Sequence, residues 1–221
     1  MTDAAASTSV TSTMTSPNSR PLIGVLISGR GSNLKAIIEA IAAGRLRATI
    51  AVVLSNRPEA QGLEHARAAG LETRVLPHVA YASREDYDHA LVEALRGYDL
   101  QLVCLAGFMR RLGPAFCTAF PDRILNVHPS LLPAFRGTHA QRQALDHGVK
   151  VTGVTVHFVT PELDDGPIVM QAAVQVREDD TEASLAARIL DVEHRVYPDA
   201  IERVLNAAWR LEGRRVVFNA D

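Results

Sequence analysis

The chain of 221 residues has only two cysteines and no excess of either charge, with 23 Lys and Arg against 25 Asp and Glu, a formal net charge of −2. Cys104 lies in an apolar run and Cys117 beside Phe116, without the paired spacing of a zinc site or a disulfide framework. Both read as packing residues in a reducing compartment. The near-neutral balance removes any general electrostatic reason to bind nucleic acid or a membrane surface, so a basic site has to be local. Long hydrophobic runs are missing as well. Met1 to Ser19 is rich in Ser, Thr and Ala but lacks the apolar centre of a signal peptide, and no later stretch approaches the length of a membrane span. A cytoplasmic protein with a disordered leader over residues 1–19 is the expectation. Internal repeats are lacking too.

What is present is an ordinary globular composition, 47% hydrophobic and 22% charged, long enough for one domain with a substantial core. The first buried strand is Leu22 to Ile27, followed by the glycine-rich turn Ser28 to Asn33 and a helical run from Leu34 to Ala43 closed by Gly44. A second apolar run, Thr49 to Leu54, leads into a helix from Glu59 to Ala69, and a short strand around Arg74 to Leu76 follows. Ser83 with Asp86 resembles a capping box and opens a helix to about Arg96, after which Leu100 to Leu105 forms another buried strand. Alternation of this kind predicts parallel βαβ units, a doubly wound, mostly parallel α/β sheet with ligands at the carboxyl ends of the strands. Three unusual segments sit at such ends: Ser28 to Asn33, Gly107 to Leu112, and Asn126 to Pro129.

Beyond Pro133 the pattern predicts a helix near Gln141 to His147, strands at Gly153 to Val159 and Ile168 to Val176, and a long helix from Thr181 to Trp209 that Pro198 should kink or break. Those strands extend the sheet in antiparallel or mixed fashion. Leu211 to Phe218 reads as a terminal hairpin.

Gly29-Arg30-Gly31-Ser32-Asn33, between a strand and a helix, can aim unsatisfied backbone N–H groups and a helix N-terminus at a phosphate. It is neither a Walker loop nor a dinucleotide fingerprint, whose third glycine position holds Leu34, so a monophosphate suits it better. The bland alternative is a bare turn and cap. Asn126 and His128 alternate along an extended segment and so share a face, where an amide N–H and an imidazolium could hold one oxyanion; a satisfied hydrogen-bond network at a strand end is the competing reading. The acidic, turn-prone loop Pro161 to Pro167 could bring a carboxylate beside the histidine and favour its charged form, or could be a solvated turn, the better reading for Glu162 and one that extends to Asp165. His128, His139, His157 and Asp164 offer ligand atoms but no compact metal spacing such as HExxH, so no metal is expected. His65, His78, His89 and His147 read as surface residues. Met109 and Leu112, flanking Arg110 and Arg111, are either a half-buried loop or an apolar slot with cationic handles for an acidic ligand.

Ser28 to Asn33, Ala106-Gly-Phe-Met-Arg110, Leu125-Asn-Val-His-Pro-Ser-Leu-Leu-Pro133, Val156 to Thr160 and Leu163-Asp-Asp-Gly-Pro167 together resemble the phosphoribosylglycinamide formyltransferase family, from about Leu22 to the C-terminal region. The resemblance implies transfer of a formyl group from 10-formyltetrahydrofolate to the amine of glycinamide ribonucleotide in purine synthesis, without a metal. It implies His128 as the catalytic histidine, Asn126 as the formyl-oxygen donor and Asp164 as the acid beside the histidine. Gly31, Ser32 and Asn33 match the phosphate cradle and Glu193 the acid that orients the ribonucleotide. Arg84, Met109, Arg110, Arg111, Leu112 and Asn126 match folate contacts. In domain terms it implies a single domain over 20–221, its half at 20–120 binding phosphate and its half at 121–221 catalytic and folate-binding. A homodimer is expected. Two departures stand out: Arg30 replaces a smaller polar residue, and Leu190 stands where a phosphate contact is expected, a loss that Arg30 would partly offset.

Methionyl-tRNA formyltransferase shares the Asn-x-His-Pro string but normally carries a further C-terminal domain, and formyltetrahydrofolate deformylase an N-terminal regulatory one; neither is expected here. A nucleotide-binding regulatory module would explain the glycine turn but gives no reason for Asn126, His128 and Asp164 to converge.

Overall fold

The computed structural model describes residues 20–219; the leader expected over 1–19 lies outside them. The described residues build one nine-stranded sheet, in the order β3-β2-β1-β4-β5-β6-β7-β9-β8. Its parallel part comprises β1 (Leu22–Ile27), β2 (Thr49–Ser55), β3 (Thr73–Val75), β4 (Leu102–Leu105) and β5 (Ile124–His128). β6 (Val151–Phe158) and β7 (Ile168–Gln175) continue it antiparallel, and the hairpin β8 (Trp209–Glu212) and β9 (Arg215–Phe218) closes the edge.

Alternate strand residues supply two separate apolar layers, as period-two side-chain alternation requires. Ile23, Val25 and Ile27 of β1 face one layer with Leu34 and Ile37 of α1 (Ser32–Ala42), Leu63 of α2 (Gly62–Ala68) and Leu185, Ile189 and Tyr197 of α6 (Glu182–Asn206). Leu26 faces the other, with Tyr87, Leu91 and Leu95 of α3 (Arg84–Arg96) and Phe116 of α4 (Pro114–Ala119). α5 (Ala140–Asp146) precedes β6. The order reverses between β1 and β4, a topological switch point where ligands are expected beyond the carboxyl ends of the strands.

The structure differs from the sequence-based expectation at four places. α2 starts at Gly62, because residues 57–63 turn through Ala60 N–H to Arg57 O and Leu63 N–H to Ala60 O. The last helix runs without a break through Pro198 and ends at Asn206, with Trp209 opening β8. Pro198 is buried, and neighbouring Tyr197 donates its hydroxyl toward both Leu105 O and Leu125 O, so tertiary packing outweighs one missing helical bond. α4 was not legible in the sequence as a helix: six residues are too few to show a period. His78 is half-buried, its ring nitrogen 3.1 Å from Asn56 Nδ2.

Candidate active site

All three unusual segments meet at one edge of the sheet. Gly31, at φ 73°, turns the chain from β1 into α1, and a Cβ there would sit 2.4 Å from Gly62 Cα. Only glycine fits. α1 has no side-chain cap and no acid in its first turn, so its first N–H groups and its dipole are left for an anion. Ser28 joins this turn to the loop after β4: it accepts from Met109 N–H at 2.7 Å and donates to Asn56 Oδ1 at 2.6 Å. Arg30 is exposed beside the turn and makes no ion pair among the described residues. Leu190 is half-buried on α6, one turn before Glu193.

Glu193 is 7% exposed, and its Oε2 accepts from Asn33 Nδ2 at 2.7 Å, while Asn33 Oδ1 is buried without a partner. Burial pushes the Glu193 carboxyl up to about 7, against the smaller opposing pull of the Asn33 bond. A raised carboxyl costs nothing below its unfolded value of about 4.5, where both states are protonated, and destabilises the fold increasingly as pH rises through 7. Glu193→Gln keeps an acceptor for Asn33. It should therefore raise stability at pH 8 by on the order of 3 kcal/mol and leave it unchanged at pH 4, read from urea midpoints.

Asn126 and His128 share one face of β5 and lie opposite His157 and Thr155 of β6. Thr155 Oγ1 fixes the chain after His128: it donates to Ser130 O at 2.7 Å and accepts from Leu132 N–H at 3.0 Å. His128 is 4% exposed. Its Nε2 lies 2.8 Å from Phe135 O, an acceptor only, and its Nδ1 lies 3.5 Å from Asp164 Oδ2. Each ring nitrogen thus has an oxygen acceptor beside it. Asp164 adopts φ 48°, a left-handed conformation that Asp tolerates better than most residues, and Oδ2 also accepts from Gly137 N–H at 2.8 Å.

His157 belongs to the same cluster; the family string Val156 to Thr160 contains it but gave it no role, and it was otherwise one of four loosely spaced metal-ligand candidates. Burial holds its proton affinity below the usual histidine range, outweighing the bond to Phe158 O and the charge of Asp164. The ring is then neutral at pH 7. Its Nδ1–H donates to Phe158 O at 2.8 Å, which leaves Nε2 as a lone pair accepting from Asn126 Nδ2 at 3.3 Å. His157 Nε2 and Asp164 Oδ1, 3.8 Å apart, are consequently two acceptors and not an ion pair. This orientation assigns the Asn126 amide nitrogen and leaves its second hydrogen to a ligand. His139 is exposed at the start of α5, 3.8 Å from Glu182, and does not join the group.

Around the loop after β4, Met109 is 70% exposed, while Leu112 is 3% exposed, inside the core. The Leu112 side chain therefore packs in the core and does not form an exposed apolar slot. Arg110 lies over the Tyr87 ring at 5.7 Å, and Arg84 is exposed at the start of α3, whose N-cap Ser83 accepts from Asp86 N–H. Arg111 donates to Pro161 O at 2.6 Å, tying this loop to the one carrying Asp164. No described helix is long and apolar enough to cross a membrane.

Comparison with known proteins places this edge in context. The model of the formyl transferase family matches residues 22–201. The chain is 46% identical over 202 residues to phosphoribosylglycinamide formyltransferase of Escherichia coli, covering 88% of this chain and 95% of the relative. It is 43% identical to the human trifunctional purine biosynthetic protein adenosine-3, over 86% of this chain and 19% of that longer protein. Among solved structures, glycinamide ribonucleotide transformylase 1 of Symbiobacterium toebii superposes with a TM-score of 0.88 at 54% identity, covering 90% of this chain and 94% of the other.

Proposed function

Because the chain belongs to the formyl transferase family, we infer that it transfers the formyl group of 10-formyltetrahydrofolate to the amine of glycinamide ribonucleotide, in de novo purine biosynthesis. The observation that carries this reading is the convergence of Asn126, His128 and Asp164 at the carboxyl end of β5, the same end of the parallel strands as the uncapped turn at Gly31 and the exposed loop at Met109. A phosphate-bearing substrate and a flat apolar one would meet there. The relatives' names supply the identity of the two substrates.

In this reading Gly31, Ser32 and Asn33 hold the ribonucleotide phosphate, with Glu193 beside its amine. Met109 and the backbone near Leu112 line the folate site, and Arg84 and Arg110 face its acidic tail. The amine nitrogen attacks the formyl carbon. The free N–H of Asn126 and the protonated His128 ring stabilise the oxygen as it becomes negative. The C–N bond to the folate then breaks, and the proton lost by the attacking amine ends on the departing folate nitrogen. His128 must exchange the Phe135 carbonyl for the formyl oxygen if Nε2 is the donor. Asp164 balances the charge of the ring throughout.

A mixing assay tests the assignment. With 10-formyltetrahydrofolate and glycinamide ribonucleotide, methionyl-tRNA or water as acceptor, formyl loss should require the ribonucleotide. Turnover with either of the others and none with the ribonucleotide would overturn it.

A further inference from the structure

The Asp164 side chain is 10% exposed, in the loop between β6 and β7. A cleft of about 370 Å³ borders it, lined by Leu132, Pro133 and Ile168 together with Arg136, Asp165 and Arg214. A left-handed aspartate beside a cleft persists only where its surroundings over-determine it.

The next residue supplies the hold. Asp165 is gripped from two directions: Arg214, from the β8–β9 turn, donates Nη1 to Asp165 Oδ2 at 2.8 Å and Nη2 to the Asp165 backbone carbonyl, while Arg136 Nη2 pairs with Asp165 Oδ1. Arg136 directly precedes Gly137, whose N–H binds Asp164 Oδ2 at 2.8 Å. The dipeptide Arg136-Gly137 thus holds the dipeptide Asp164-Asp165 through two parallel links, and Arg214 locks the same backbone from the far side. Gly166 follows, seated so that a Cβ would lie 1.8 Å from Phe158 O. We propose that Arg136 and Arg214, acting through Asp165, are positioning residues that aim the Asp164 carboxylate at His128.

These ion pairs are solvent-accessible, with side-chain exposures of 42% for Arg136, 68% for Arg214 and 25% for Asp165, so they add little to global stability. Their effect is geometric and electrostatic. Asp165 carries a second negative charge close to the catalytic cluster, and it acts on His157 together with Asp164 and His128. The two guanidinium groups offset that charge. The inference rests on the formyl-transfer reading for the identity of the reaction, and on the geometry alone for the positioning.

The test compares Arg136→Ala, Arg214→Ala, Arg214→Lys and Asp165→Asn with the wild type, using whichever acceptor the wild-type chain serves. Each should lower kcat by roughly ten- to hundredfold, with both KM values within about twofold, because a carboxylate misplaced by a fraction of an ångström harms the chemical step and not binding. Arg214→Lys should behave like the alanine variant, since a single ammonium cannot hold a carboxylate and a carbonyl in one planar fork. The double variant Arg214→Ala/Asp165→Asn should be no slower than the slower single one. The acid limb of the kcat profile should move to higher pH when an arginine is lost and to lower pH in Asp165→Asn, as His157 feels more or less negative charge. Unchanged kcat in Arg214→Ala, raised KM at unchanged kcat, or additive losses in the double variant would each overturn the proposal. Wild-type turnover with an acceptor other than the ribonucleotide would overturn the functional reading instead, and leave this comparison to be read with that acceptor. Should the arginine variants fail to fold, Asp165→Asn, which removes a charge and no packing, carries the test.

Discussion

His128→Asn should lower kcat by about 10²- to 10⁴-fold while KM for either substrate changes by less than about threefold, because the ring's contribution belongs to the transition state. Asn has nearly the shape of the near half of the imidazole, so the buried position after β5 is still filled. It cannot carry a positive charge. Asp164→Asn should follow with a smaller loss of the same kind, since the neutral amide still accepts from Gly137 N–H but no longer balances a cationic ring. Steady-state kinetics on both variants separates this from a structural role, in which both would lose binding and folded yield together.

Asn126→Ala should cost about 10²- to 10³-fold in kcat, the range for removing one preorganised oxyanion donor. The geometry adds a pH signature. Asn126 is oriented by the His157 lone pair, and that lone pair exists only while His157 is neutral. Burial lowers the His157 proton affinity, so the lone pair is present at pH 7 and is lost as pH falls below the usual histidine range. Wild-type kcat should therefore fall on the acid side. In Asn126→Ala the residual rate should lose that part of its acid limb. An unchanged limb in the variant would show that His157 does not act through Asn126.

Much of this site is local in origin, which is why so much of it could be read from residues in order. The uncapped turn at Gly31 is a property of five consecutive residues between a strand and a helix, and the shared face of Asn126 and His128 follows from the two-residue period of a strand. His157 was missed because its role depends on register. Val156 and Phe158 mark the apolar face of β6, and Thr155 and His157 must then point the other way, but only the antiparallel pairing with β5 sets His157 opposite Asn126. Leu112 stood open between a half-buried loop and a ligand-facing slot because the two have the same composition; packing against α3 and α4 put its side chain in the core. Pro198 was expected to interrupt α6 because local propensity has no knowledge of Tyr197 anchored to two strands.

The pattern of short-range alternation thus determined a parallel α/β sheet, three polar segments at its strand ends, and the residue types able to hold a phosphate and an oxyanion. The motif strings around Asn126 and Asp164 determined the family. What the tertiary structure alone decided is how those groups are aimed: that Asp164 reaches His128 from a loop 36 residues further along the chain, that His157 orients Asn126, and that two arginines from separate loops hold Asp165. Contacts between distant segments depend on register and loop closure, and no period in the sequence records either.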